Sequence, residues 1–494
     1  MDIATCGTLS ASTSYTLTAN VSAGAGNTCF TIGGLNVTLD LNGFTVTGRI
    51  KCTGGTNCNG LTILGGAVSC SYTAPDRGCI RADLSNALTA RIVLHDLTVT
   101  NTATSASSKS GVSIDWQGRA ATDYIFEGYN LTMSSNGGSP ASSRIINLEI
   151  ISAGTSKVYD STFTCKADDN ACQGIVFFAG RNVEAYGNTL VMETASGTSV
   201  SNRGIVVDND QPGDASGANI HNNVCTANDQ RCFRFRNATN FSLHHNTVNN
   251  ITGPFDGFGI IHVGDPDYSP APTYSDYNAA KVWCNTFNMA GGTALGSRDA
   301  KNWFVRSNTF TGATGRVSIT RTALALESIV TIENNTGASG LGTASTVETG
   351  ATVNHCLSGS FTGAGTIVDS CPGATESCGT AAPLVSLNRS SIAFQAGVIE
   401  TTSGNETFTL TNTGDATLNI TSIVTTGAAF INTTTCGATL GAGLNCTVTV
   451  TARAKSTGAA TGTVTFTTDA AGSPHTVALS GSGIALLSFG GGKP

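Results

Sequence analysis

Ser156-Lys-Val-Tyr-Asp-Ser-Thr-Phe163 and Asn182-Val-Glu-Ala-Tyr-Gly-Asn-Thr-Leu190 decide the fold, because their frame returns down the chain. It recurs as Asn219-Ile-His-Asn-Asn-Val224, Phe241-Ser-Leu-His-His-Asn-Thr-Val248, Lys281-Val-Trp-Cys-Asn-Thr-Phe287 and Trp303-Phe-Val-Arg-Ser-Asn-Thr-Phe310. Each unit is a short apolar strand, an Asn, Asp or Ser, and a second short strand. Upstream, Ile92-Val-Leu-His-Asp-Leu97 and Ile125-Phe-Glu-Gly-Tyr-Asn-Leu131 fit the same frame, and Ile329-Val-Thr-Ile-Glu-Asn334 closes the series. The spacing is irregular, as in a solenoid whose loops differ in length. One unit cannot bury its apolar side alone. Stacked units share a continuous core, and each strand pairs with those before and after it. The column that holds Asn188, Asn222, Asn246, Asn285 and Asn308 suits a corner. Asn tolerates the left-handed conformation, and its amide can bond the next rung.

The composition agrees with an all-β chain. Of 494 residues, 59 are Gly and only 11 are Pro, and few stretches carry a long amphipathic helical period. A net charge of −7 with 12% charged residues weighs against nucleic acid as a partner, which calls for a basic surface. The longest apolar run, Ile484-Ala-Leu-Leu487, is too short to span a membrane. The 16 cysteines imply an oxidising compartment. Six neighbouring pairs, Cys52/Cys58, Cys70/Cys79, Cys165/Cys172, Cys225/Cys232, Cys371/Cys378 and Cys436/Cys446, could each close a small loop, leaving Cys6/Cys29 and Cys284/Cys356. Zinc is the weaker reading, because no Cys-x-x-Cys or His-x-x-x-His spacing is present. Met1-Asp-Ile-Ala-Thr-Cys6 has neither a basic nor an apolar region, so a secretory leader is expected to be absent from this chain. The expected location is secreted or cell-surface.

Residues 1–34 read as an N-terminal cap pinned by Cys6 and Cys29. The coil is expected to span 35–371, opening with Leu39-Asp-Leu-Asn-Gly-Phe-Thr-Val46 and Asn59-Gly-Leu-Thr-Ile63. These stretches resemble the first rungs of secreted right-handed parallel β-helix proteins of the pectate-lyase-like superfamily. The resemblance implies the fold over residues 35 to about 370, and polysaccharides as the class of ligand. A linker is expected at 372–383, and short alternating strands follow over 384–483: Thr407-Phe-Thr-Leu410, Cys446-Thr-Val-Thr-Val450, Gly462-Thr-Val-Thr-Phe466 and His475-Thr-Val-Ala-Leu479. That pattern indicates an antiparallel sandwich. Thr411-Asn-Thr-Gly-Asp-Ala416 and the Cys436–Cys446 hairpin resemble choice-of-anchor D immunoglobulin-like domains, which implies display or spacing. The tail, 484–494, is apolar and then glycine-rich. The expected fold is therefore all-β: a right-handed parallel β-helix followed by an immunoglobulin-like β-sandwich.

A second strand family shows where chemistry could sit. It comprises Gly111-Val-Ser-Ile-Asp115, Ile146-Asn-Leu-Glu149, Gly174-Ile-Val-Phe-Phe178, Gly204-Ile-Val-Val-Asp208, Phe233-Arg-Phe-Arg236 and Ile260-Ile-His-Val263. Alternation puts one set of apolar side chains inside and leaves Asp115, Glu149, Phe178, Asp208, Arg236 and His262 as an outward column, with Arg234 beside it. An aromatic can stack on a sugar, arginines can grip carboxylates bidentately, and a His can move a proton. In a lyase reading His262 is the base, Arg236 or Arg234 neutralises a uronate, and Asp208 joins the catalytic set, with Asp115, Glu149, Phe178 and Asp265 on the substrate. In a glycosidase reading Asp208 pairs with Asp210 or Glu149. Asp208, Asp210 and Asp214 could hold Ca²⁺, a hard cation that takes oxygen ligands. His221, His244 and His245 read as surface residues near the Asn corners. The leading function is a secreted protein that binds, and in the enzyme reading cleaves, an acidic polysaccharide. The alternative is a non-catalytic adhesin or filament subunit that self-associates through its C-terminal domain or tail.

Overall fold

The computed structural model describes residues 1–52, 58–72, 78–83, 89–103, 109–115, 123–137, 143–149, 156–167, 172–178, 181–194, 203–208, 215–227, 231–236, 238–250, 280–289, 294–298, 303–311, 317–320, 328–333, 335, 345–347, 351–356, 361–363, 366–369, 382–395, 397–414, 417–441 and 445–485. They form strands, turns and coil, with no helix among the described residues. None therefore holds a helix long and apolar enough to cross a membrane. The chain divides into two compact units, Met1–Cys378 and Gly379–Pro494.

The first unit is a parallel β-helix. A typical rung runs through Glu184–Tyr186 on a first face, turns a corner, continues through Thr189–Thr194 on a second face and returns through Arg203–Asp208 on a third. Each strand pairs in parallel with its counterpart on the next rung: Tyr186 with His221, Thr189 with Val224 and Asp208 with Arg236. The first two faces join in one large sheet, and the third is a nine-stranded sheet ending at Arg231–Arg236. Alternation sends Val158, Phe163, Ile175, Leu190, Ile205, Leu243 and Phe287 into one core, where each is at most 1% exposed. Residues 1–34, expected as a cap, already belong to the coil. Ser14–Leu17 pairs in parallel with Asp2–Ile3 and Thr38–Asp40, and Thr28–Ile32 pairs with Arg49–Cys52. The reason is apolar: Tyr15, Leu17, Phe30 and Ile32 bury into the same core as the later rungs.

The corner divides two tasks that the sequence reading gave to one residue. The left-handed backbone falls on Asp96, Asn130, Asp160, Asn222, His245, Cys284 and Ser307, with φ between 48° and 58°. The stacked amides belong to the residue that follows. Asn188, Asn223, Asn246, Asn285, Asn308 and Asn335 are buried, and each of the first five donates through Nδ2 to the Oδ1 of the next at 2.9 Å. The same nitrogens donate to carbonyls of the rung before, such as Ala185 and Ile220. The ladder therefore passes through Asn223 rather than Asn222, and among the described residues its last member is Asn335. Only a side chain pointing inward from the turn can reach both neighbours, and the left-handed residue points outward.

Disulfides join Cys6 to Cys29, Cys52 to Cys58, Cys70 to Cys79, Cys225 to Cys232 and Cys436 to Cys446. Cys165 and Cys284 are also disulfide-bonded, and no described cysteine is free.

The second unit is an antiparallel sandwich. One sheet runs Val385–Leu387, Thr402–Asn412, Asn445–Arg453 and Phe430–Thr434, and the other is built on Gly458–Thr468 between Leu418–Thr425 and His475–Ile484. Phe408, Leu410, Val448, Val450, Val464, Phe466 and Val477 fill the space between them. The expected linker lies outside the described residues up to 381, and the tail does so from 486.

Candidate functional site

The expected outward column exists as a register on the third face. Asp83 pairs with Asp115, Glu149 with Phe178, Phe178 with Asp208, and Asp208 with Arg236. Its openness differs from the expectation. Asp208 is 6% exposed and Arg234 7%. Arg234 follows Val176 and Val206 in one register column, and both valines are buried too. Two apolar side chains on an outward face are stable there only when covered. The side chains of Asp115, Glu149, Phe178 and Arg236 lie outside the described set, as do residues Asp210, Asp214, His262 and Asp265. Among the described residues no group of three His, Cys, Asp or Glu is placed to hold a metal ion.

One further column on this face is basic. Arg144, Gln173, Arg203 and Arg231 fall on successive rungs, because Arg144 pairs with Gln173, Gln173 with Arg203, and Arg203 with Arg231. Arg203 and Arg231 are half-buried. Arg234 and Arg236 lie on the same Arg231–Arg236 strand, so the third face carries arginines as well as the acids Asp83, Asp115, Glu149 and Asp208.

The first face carries a feature absent from the sequence reading. His95, Tyr129, Tyr159, Tyr186, His221, His244 and Trp283 share one register and stack in a continuous file. Successive ring centroids lie 4.8, 5.1, 4.8, 5.0, 4.9 and 4.2 Å apart, with interplanar angles of 3° to 16°. His221 and His244, expected as loose surface residues, are half-buried members of this file, and His245 packs edge-on against His244. Each ring sits two residues before the amide column or its equivalents Leu97, Leu131 and Ser161, so the signal was present in the sequence. It was masked because three residue types share the position.

The rings face each other, so they present edges outward, and a polar column beside them binds those edges. The Tyr159 hydroxyl donates to Glu127, which also pairs with Arg91 at 3.1 Å. Glu184 meets Lys157 at 2.7 Å and His221 at 3.4 Å, and Asn219 meets His244 at 3.0 Å. His244 and His245 share a hydrogen bond between their Nδ1 atoms at 2.9 Å. The hydrogen bond from His221 outweighs burial and, with Lys157, holds the Glu184 carboxyl down at about 2. Burial raises the Asp96 carboxyl, but hydrogen bonds from His95 and Asn130 leave it below its usual value. Burial, then the neighbouring His221 and His245, pushes His244 down to about 3.

Burial, then the charges of Asp96 and Glu127, pushes the Tyr129 phenol up to about 12, and Tyr159 and Tyr186 rise for similar reasons. A raised folded pKa means that the unfolded chain ionises first, near 10. The stability linked to these phenols is complete below that pH and is lost above it. In an alkaline titration of phenolate absorbance, three of the nine tyrosines should ionise only as the solenoid unfolds. Reversible ionisation of all nine near 10 in the folded state would contradict this.

Residues 383–482 match the HYDIN/CFA65/VesB-like immunoglobulin-like domain. The chain is similar to the tailspike protein of E. coli bacteriophage HK620 in complex with pentasaccharide, at 12% identity and a TM-score of 0.38 over 96% of this chain and 86% of that one. It is similar over 24% of its length to the ASH/PapD-like domain of human CEP192, at 15% identity and a TM-score of 0.18 over 99% of that chain. A protein of unknown function from Porphyromonas gingivalis W83 shares 11% identity at a TM-score of 0.18, over 24% of this chain. The chain spans about half the length of that bacterial protein, 53%. No curated protein matches.

Proposed function

We propose that the chain is an extracellular β-helix that binds an elongated acidic polysaccharide along its third face, with the immunoglobulin-like unit serving display. The observation that carries this reading is the register of Arg144, Gln173, Arg203 and Arg231 on four successive rungs. A repeating surface suits a repeating ligand. Guanidinium groups grip carboxylates or sulfates in two-pronged fashion. The disulfides are consistent with an oxidising, extracellular setting.

In the catalytic form of this proposal, His262 is the base, Arg236 and Arg234 neutralise the uronate, and Ca²⁺ sits at Asp208, Asp210 and Asp214. Asp115, Glu149, Phe178 and Asp265 contact the sugar chain. Purified protein should be screened on pectate, alginate, glycosaminoglycans and neutral glycans, with and without Ca²⁺. Binding to an acidic polymer should fall at least about tenfold in an Arg203→Ala/Arg231→Ala variant, since two charge-assisted contacts are lost. Unsaturated product that disappears in His262→Ala would assign a lyase. Unchanged acidic binding in the double arginine variant would remove the third face from the reading. The second reading, a non-catalytic adhesin or filament subunit, is favoured by the immunoglobulin-like domain at 383–482. It predicts no turnover of any polymer, and self-association that is lost when the second unit is removed.

A further inference from the structure

The ring file on the first face is more than a brace. Its charges are paired within the protein: Arg91 with Glu127, and Lys157 with Glu184. Such a surface offers little to a polyanion. Its rings are closed to face-on stacking by their own neighbours, at centroid distances of 4.2 to 5.1 Å. What remains are polar edges in a line, repeated once per rung. The three phenols differ. The Tyr159 hydroxyl is spent on Glu127 at 3.1 Å. The Tyr129 and Tyr186 hydroxyls have no hydrogen-bond partner among the described residues, and both side chains are half-buried rather than enclosed. These two hydroxyls stand two rungs apart on one straight register, Tyr129 to Tyr159 to Tyr186.

We propose that this file is a second carbohydrate-binding track, separate from the arginine face, for an extended, uncharged polysaccharide whose hydroxyls bond to the Tyr129 and Tyr186 edges. Uncharged hydroxyls suit neutral phenols held in their protonated form. A rung spacing of about 4.8 Å is close to the length of one sugar unit in an extended chain. A two-rung separation of open hydroxyls therefore matches a polymer in which alternate units present the same edge. The proposal does not depend on the acidic-polymer reading, because it uses another face and the opposite ligand charge.

The test uses the full chain on immobilised neutral polysaccharides, among them mannan, xylan, and β-linked and α-linked glucans. Tyr129→Phe/Tyr186→Phe keeps the stack and removes only the open hydroxyls. It should weaken binding to the retained neutral glycan about tenfold, as expected for two neutral hydrogen bonds. Tyr159→Phe should bind as the wild type does, because its hydroxyl is already engaged. Arg203→Ala/Arg231→Ala should also keep neutral binding intact. Thermal unfolding of each variant separates lost binding from lost fold. The proposal is overturned if the wild type retains none of these glycans, if the double phenylalanine variant binds equally well, or if the arginine variant abolishes neutral binding.

Discussion

Replacing Asn246 by alanine is expected to lower the stability of the solenoid by about 3–5 kcal/mol. The amide is 1% exposed and serves three rungs at once. Its Nδ2 donates to Asn285 and to the carbonyls of Ile220 and His244, and its Oδ1 accepts from both the backbone and the side chain of Asn223. Alanine leaves the Asn223 backbone N–H and the Ile220 carbonyl without this partner. A buried group left unsatisfied costs about 1–3 kcal/mol, more than the bond itself was worth. The control is Asn249→Ala, because Asn249 is half-buried on the second face and accepts one bond, from Asn288 at 2.8 Å. Urea unfolding followed by circular dichroism should separate the two variants clearly. Equal losses would mean that the ladder contributes no more than an ordinary surface amide.

Acid should also weaken the solenoid, and His244 is expected to be a principal cause. In the unfolded chain this imidazole takes up a proton near 6.5, whereas in the fold it refuses one until about 3. Between those values the unfolded state binds more protons, so stability falls as pH falls. Glu184 acts in the same direction. Its unfolded carboxyl protonates near 4.5, the folded one only near 2, so its contribution is present above 4.5 and lost toward 2. The groups around His244 are His221, His245, Asn219, Glu184 and Trp283, and the one carboxylate among them, Glu184, raises the His244 pKa too little to offset burial and the neighbouring imidazoles. The loss between pH 7 and pH 3 should be on the order of 4 kcal/mol, after allowing for solvent at Glu184. Denaturant midpoints across that range measure it. His244→Gln should flatten the upper part of the profile, and a variant whose midpoint falls as steeply as the wild type would remove His244 from the explanation.

The frame of strand, corner and strand was legible because it is local: an apolar pair, a turn residue and another apolar pair recur within eight or nine letters. The register of Glu149, Phe178, Asp208 and Arg236 was legible for the same reason, since aligned strands on successive rungs must pair. The division of labour at the corner was not. In Asn222-Asn223 and Asn334-Asn335 two identical letters sit side by side, and only the chain direction at the turn decides which one points inward. The positive φ at His245, Cys284 and Ser307 is equally invisible, because those residue types seldom announce it. The ring file escaped notice because His, Tyr and Trp share flatness rather than a letter. The burial of Asp208 and Arg234 depends on what lies over them, which alternation along one strand does not encode.

Asn188 and Asn223 are 35 residues apart and occupy equivalent places on adjacent rungs, as do Thr189 and Val224. Excising residues 189–223 would join Asn188 directly to Val224. Asn188 would then meet Asn246, and Tyr186 would meet His244, through contacts of the kind each already makes. The loop-closing pair Cys225 and Cys232 would survive intact. Length in this molecule is thus a quantised trait. A lineage can shorten or extend the coil by single whole turns, and so change its length, without inventing a new junction.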